Sequence, residues 1–225
     1  MASSAVAVGG LAACTPAVRE PGAQEPPAPG PSRQPVPVPG TAPVSPGNAP
    51  GTRKTLLVYF SRAGENYHYG GRRNLETGNT EVLAGMIRER IGCAVHRLEA
   101  AQPYPEAYQA TVDRNVREQR NNARPAIAGG LPEVRGYTDV LLGCPVWNVR
   151  APMILSTLLD RIDLRGKTVH PFVTYAVSGM GSVEDEYRRA LSGVDVRPGL
   201  AVQGERVTEA GAAVETWLRE GGLLA

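Results

Sequence analysis

The run Lys54-Thr-Leu-Leu-Val-Tyr-Phe60 decides the fold, and the stretch after it, from Ser61-Arg-Ala-Gly64 to Gly78-Asn-Thr80, decides where chemistry is to be sought. Residues 54–60 are apolar and β-favouring, without alternation of polar and apolar side chains. A strand buried on both faces reads this way, as in the middle of a parallel sheet. The following stretch is polar and glycine-bearing and ends by opening a helix. Small and hydroxyl residues there let backbone N–H groups approach a phosphate, and a helix N-terminus favours negative charge. Ser61 and Thr80 add hydroxyl groups. The stretch has neither the G-x-x-x-x-G-K-[ST] pattern of a nucleotide triphosphatase nor the G-x-G-x-x-G fingerprint of a dinucleotide fold. Taken alone, Gly-Asn-Thr ahead of a helix is also ordinary capping chemistry.

Outward from this pair the chain alternates. Asn79 to Ile91 carries Val82, Leu83, Met86, Ile87 and Ile91 on one helical face, and Gly92 closes it. Residues 94–98 read as a second strand. Tyr104 to Asn122 reads as a long polar helix whose start is marked by Pro103 and Pro105. Residues 139–144 form another apolar strand, 153–161 a helix, and 168–174 a strand weakened by Pro171. A helix over 182–191, a last strand over 194–200 and a helix over 209–220 complete the pattern. Strict β–α alternation predicts an α/β fold: a doubly wound, five-stranded parallel sheet of order 2-1-3-4-5 with helices on both faces. Ligands of such sheets collect at the carboxyl ends of the strands, beside the first strand.

Two further loops are expected at that edge. Pro145-Val-Trp-Asn-Val-Arg-Ala-Pro152 is held stiff by two prolines and presents Trp147, either to stack on a planar ligand or to pack beneath the loop. Thr174-Tyr-Ala-Val-Ser-Gly-Met-Gly-Ser182 offers Tyr175 as a second ring, and Gly179 and Gly181 permit close backbone approach to a ligand.

Together the three loops resemble the flavodoxins, and more narrowly bacterial flavodoxin-like proteins with a Y-F-S-x-x-G-N-T loop. The matching residues are Tyr59-Phe60-Ser61, Gly64, Asn79-Thr80, Gly143 to Trp147, Gly166-Lys167 and Ser178-Gly-Met-Gly181, with Pro103-Tyr104-Pro105 and the charged helix after it. The resemblance implies a non-covalent FMN. Its phosphate would sit in the loop of Ser61, Arg62, Ala63, Gly64, Asn79 and Thr80. Its ring would lie between the loop of Pro145, Val146, Trp147 and Asn148 and the loop of Thr174, Tyr175, Ser178, Gly179 and Gly181. The redox chemistry would be the cofactor's, tuned by nearby hydrogen bonds and charge.

Two departures from that family pattern stand out. In the family's loop the glycine runs straight into Asn-Thr, whereas here Glu65 to Gly78, ENYHYGGRRNLETG, intervenes. This insertion reads either as a lid over the flavin, with Arg72 or Arg73 reaching the phosphate, or as a solvated surface hairpin. The second departure is charge. Small flavin carriers of the family are strongly acidic, which steers them to basic partners, whereas this chain has a net charge of +2. The balance favours reduction of a small quinone-like acceptor over a shuttle role, although a redox partner protein stays open. Arg150 would favour an anionic ring or substrate if it pointed inward.

Composition excludes other classes. A chain of 225 residues with 42% hydrophobic and 20% charged residues has the make-up of a globular domain with a tail. Near-neutral charge gives no footprint for nucleic acid, and no apolar run approaches the ~18 residues of a membrane span. Cys14, Cys93 and Cys144 are too few and too scattered for a disulfide framework or a zinc site. No metal-binding acidic cluster marks the strand ends, which argues against a phosphate-ester hydrolase. No catalytic triad can be assembled, and His96 and His170 read as structural.

The expected organisation is a leader over 1–14, a proline-rich disordered linker over 15–52 and the FMN domain over 53–225. Leu11-Ala-Ala-Cys14 resembles a lipoprotein lipobox, which would tether the domain to a membrane at Cys14. Without a basic residue ahead of the apolar run, an alanine-rich terminus and a cytoplasmic domain form the alternative reading. The functional alternative to an FMN redox protein is a flavin-free, flavodoxin-like binding module tethered at a membrane surface.

Overall fold

The computed structural model describes residues 54–224, so the leader with Cys14 and the proline-rich linker lie outside the described residues. The chain order is β1 (Thr55–Phe60), β2 (Gly64–His68), β3 (Gly71–Leu75), α1 (Asn79–Ile91), β4 (Ala94–Leu98), α2 (Tyr108–Arg120) and β5 (Asp139–Pro145). It continues through α3 (Met153–Leu159), β6 (Thr168–Tyr175), α4 (Val183–Ala190), β7 (Asp195–Val196) and β8 (Leu200–Gln203), a 3-10 turn (Gly204–Glu209), and α5 (Gly211–Glu220).

The main sheet runs β4-β1-β5-β6, with β7 and β8 both on the far edge of β6, and every pairing in it is parallel. Leaving aside the small β2–β3 hairpin, this is the expected 2-1-3-4-5 order with its last strand in two pieces. β1 explains its own composition. Leu56, Val58 and Phe60 enter one hydrophobic core, while Leu57 and Tyr59 enter the other. The first core is closed by Ile154, Leu155 and Leu158 of α3 and by Val183 and Tyr187 of α4. The second is closed by Leu83 and Ile87 of α1 and by Val214, Trp217 and Leu218 of α5. With both faces covered, no solvent face remains to demand alternation.

The split of the fifth strand has a local cause. β7 pairs with Thr168 and Val169 and β8 with Phe172 to Tyr175, so the gap lies opposite His170 and Pro171. Pro171 has no N–H to offer a ladder there, and Pro198 interrupts the partner strand. The freed backbone is satisfied elsewhere: Trp217 Nε1 donates to Pro198 O at 3.1 Å, and Gly199 N donates to Glu184 Oε1 at 2.7 Å.

The helix predicted from Tyr104 begins only at Tyr108. Tyr104 is drawn into the core instead, tilted 5.4 Å from Phe60, with its hydroxyl donating to Glu118 at 2.7 Å. Burial and that carboxylate push its pKa far above the ordinary tyrosine value. The carbonyls of Gln102 and Pro103 accept from Arg114 and that of Pro105 from Thr111, so the Pro-Tyr-Pro segment is pinned to α2 rather than wound into it.

Gly143 lies beside Phe172 in the β5–β6 register, and a Cβ at Gly143 would run into the Phe172 ring. Gly143→Ala is therefore expected to destabilise the domain by about 2–3 kcal/mol. Urea unfolding should show a lower midpoint with an unchanged slope.

Candidate functional site

All strands of the main sheet end on one side, and the segments leaving Phe60, Pro145, Tyr175 and Gln203 line a single cleft of about 280 Å³. Its two further walls are the β2–β3 hairpin and one face of α2.

At one end stands the first turn of α1. Helix N-terminal N–H groups lack intrahelical partners, and Ser61 Oγ supplies one by accepting from Glu81 N at 3.1 Å. Gly78 makes this possible, since a Cβ there would collide with Ser61 Oγ and the Arg62 carbonyl. Thr80 and Thr174 share a hydrogen bond of 2.7 Å between their buried hydroxyls, tying the turn to the end of β6. Asn79 is backed by Gly204, where a side chain would displace its amide. Ser61, Arg62, Asn79 and Thr80 all line this end of the cleft.

The insertion is a β-hairpin. Its two-residue turn places both Tyr69 and Gly70 at positive φ, the type I′ geometry favoured by antiparallel ribbons. Arg62 holds its base: Nη1 donates to Pro105 O at 2.9 Å and to Glu106 O at 3.0 Å, and Nη2 donates to Glu65 O. Burial lowers the guanidinium pKa, while Glu65 works against that shift. Glu65 also accepts the Tyr108 N–H at 2.8 Å, so a carboxylate from the hairpin caps the N-terminus of α2. Arg72 lies 3.7 Å over the Tyr108 ring and 5.9 Å from the Tyr67 ring. At the hairpin tip Tyr69 donates its N–H to Glu205 Oε1 at 3.1 Å, reaching the turn that follows β8.

The insertion presents one strand to solvent and residues of the other to the cleft. It is a hairpin with an exposed strand, β3, yet Asn66 and Tyr67 of β2 form a wall of the cleft. Arg72 and Arg73 are exposed, outside the cleft lining, and Arg72 is engaged in stacking rather than turned to the α1 terminus.

Trp147 is packed and also borders the cleft. Its ring meets Phe60 and Tyr104 edge-on at 5.6 and 4.9 Å and also lines the cleft with Pro145, Val146 and Asn148. The turn it begins is tight: Trp147 and Arg150 exchange backbone hydrogen bonds of 2.9 and 3.1 Å, leaving Asn148 and Val149 at φ 50° and 60°. A β-branched residue there is strained. The Val149 carbonyl accepts from Ser182 N at 2.8 Å and Ser182 Oγ at 3.1 Å, which holds the turn against the third loop. Arg150 points away from the cleft, paired with Glu186 at 2.5 Å.

Of the sequence-predicted residues, the cleft gathers Ser61, Arg62, Asn79, Thr80, Pro145, Val146, Trp147, Asn148, Thr174 and Tyr175. Ala63, Gly64, Ser178, Gly179 and Gly181 fall outside its lining. Gly64 is buried under the Glu106 backbone, and Gly181 is packed against the Val149 carbonyl. Asn66 and Tyr67 come from the insertion; residues with no sequence signal are the α2 face of Tyr108, Thr111, Val112 and Asn115, and Gly204 with Glu205. The α2 set has a helical spacing of 108, 111, 112 and 115, which was present in the sequence without marking which way it faced. Among the described residues no cluster of His, Cys, Asp or Glu is arranged to hold a metal, and no helix is long and apolar enough to cross a membrane.

The family model described as Flavodoxin matches residues 75–220, from the end of β3 through α5. The chain belongs to the flavodoxin family. Among solved structures, a candidate flavoprotein from Bacteroides uniformis is 26% identical with a TM-score of 0.61, the match covering 74% of this chain and 98% of that one. One from Bacteroides eggerthii is 25% identical with a TM-score of 0.60, covering 75% and 98%. A flavoprotein in complex with FMN from Lactobacillus acidophilus shares the fold at 22% identity and a TM-score of 0.54, covering 70% and 98%. No curated protein matches the chain.

The clamp at Arg62 can be tested apart from any ligand. Arg62→Ala removes three donors to carbonyl oxygens and should cost roughly 2 kcal/mol. Amide exchange in Gly64–Leu75 should accelerate while that of β1 and β5 stays slow.

Proposed function

We propose that the cleft binds FMN and that the protein is a redox protein, passing electrons to a quinone-like small acceptor or to a partner protein. The observation that carries this reading is the cleft's mixed lining, which combines the N-terminal turn of α1, an anion site, with the aromatic side chains Trp147 and Tyr175. At this turn the Ser61 hydroxyl, the N–H groups of Asn79 and Thr80 and a buried, unpartnered Arg62 Nε can donate, while the Glu81 and Val82 N–H groups are held by Ser61 and Gly78. The residues present thus fit a phosphate attached to a planar ring, and flavodoxin-family membership supports the same ligand. In the Lactobacillus acidophilus protein the same fold carries FMN.

Bound there, FMN would supply the redox chemistry. The protein's part is to bind, orient and shield. Ser61, Arg62, Asn79 and Thr80 would hold the phosphate. Trp147, fixed edge-on by Phe60 and Tyr104, would present a rigid flank to the ring. The hairpin covers one side through Tyr67, braced by Arg72 against Tyr108, and limits access of water. A near-neutral chain lacks the acidic field that steers a carrier to basic partners, and this favours a small-molecule acceptor.

The full-length protein is expected to purify yellow, or to take up added FMN, and to release FMN on denaturation. A colourless protein that ignores added FMN overturns the reading. Oxidation of NADH or NADPH with a quinone acceptor, without a second protein, identifies a reductase; a requirement for a separate reductase identifies a carrier. Tyr67→Ala with Arg72→Ala should raise the FMN dissociation rate about tenfold, read by stopped-flow fluorescence, if the hairpin retains the cofactor.

A further inference from the structure

Asn115 stands on α2 in the wall of the cleft and is 3% exposed. Its Oδ1 is buried with no hydrogen-bond partner among the described residues. An unpartnered buried amide oxygen is costly, and persists where a ligand completes it. The position along α2 can be measured from the helix rise of about 1.5 Å per residue. Asn115 lies about 10 Å beyond Tyr108, which Glu65 of the hairpin holds, and about 6 Å short of Gln119. Gln119 is tied to the Trp147 loop: its Nε2 donates to Trp147 O at 3.2 Å, and its Oε1 accepts from Asn148 Nδ2 at 2.8 Å. Asn115 therefore flanks the half of the cleft nearer the Trp147 loop.

We infer that the Asn115 amide binds the lactam edge of a flavin ring, pairing its Oδ1 with a ring N–H and its Nδ2–H with the adjacent ring carbonyl. An amide presents one acceptor beside one donor, and its complement is a ring that offers N–H next to C=O. The isoalloxazine has that edge; a quinone, with acceptors alone, does not. Asn115 is then a cofactor-binding residue that reads the ring, while the α1 turn reads the phosphate. This inference rests on the FMN reading above.

The test uses the full-length protein, freed of flavin and titrated with FMN, riboflavin and lumiflavin, the last being the ring without its polyol chain. Asn115→Leu is expected to weaken all three by a similar factor, about tenfold to a hundredfold. The melting temperature of the flavin-free variant should stay level or rise, because leucine removes an unpartnered polar group from a buried place; a purely structural asparagine would lower it. Asn115→Asp keeps the size and loses the donor, and should weaken all three as well. Loss confined to FMN and riboflavin would place Asn115 on the polyol chain, and unchanged affinity for all three would make it a packing residue; either result overturns the inference. If the unsubstituted protein binds none of the three flavins, the cofactor reading itself has failed.

Discussion

The structure depends on β1 being closed on every side. Both of its edges are paired, to β4 and to β5, and both of its faces are covered by helices. Parallel pairing then requires every strand to run the same way, so each returns through a crossover and releases its loop at the same edge. The cleft follows from that restriction. Ser61, Pro145, Tyr175 and Gly204 are far apart in the chain and meet because the strands before them all end together.

On that edge sits a second assembly, held by charge and hydrogen bonding more than by apolar packing. Arg62 gathers carbonyls from both the hairpin and the segment before α2, Glu65 caps α2, and Arg72 stacks on Tyr108. Each contact joins the hairpin to α2, so the two elements position one another. Guanidinium suits this work better than an ammonium, since its planar fork donates in fixed directions and its face stacks on rings. This wall of the cleft is accordingly a polar one, lined by Asn66, Thr111 and Asn115 beside Tyr67 and Tyr108.

Local patterning made much of this legible. The helix over Asn79–Ile91 and the strand over Ala94–Leu98 coincide with their predicted limits, because an amphipathic face and a Gly92 stop fixed one and a short β-rich run the other. The helix before Asn122 was placed too early, since Tyr104 has the propensity to continue it but is claimed by the core and by Glu118. The break in the fifth strand has no local mark, because nothing in either segment shows that Pro171 of one strand lies beside the Pro198-Gly199 interruption of another.

For the site the division is sharper. Residue type and position relative to the strands, with the family resemblance beside them, marked Ser61, Asn79, Thr80, the Trp147 loop and Tyr175, because loops at the carboxyl edge of a parallel sheet converge by topology. They were not enough for Asn115, Thr111 or Glu205, which are unremarkable letters on a polar helix and a short turn. By itself the sequence determined the alternation of elements, the buried character of β1 and hence the edge at which a ligand would bind. Only the tertiary structure decided that the insertion is a hairpin docked on α2, that Arg150 turns away to Glu186, and which face of α2 closes the cleft. The reason is physical. Periodicity and turn chemistry act over neighbouring residues, whereas these choices rest on contacts between segments distant in the chain, such as Arg62 with Pro105, 43 residues apart, whose partners exist only once the sheet has brought them together.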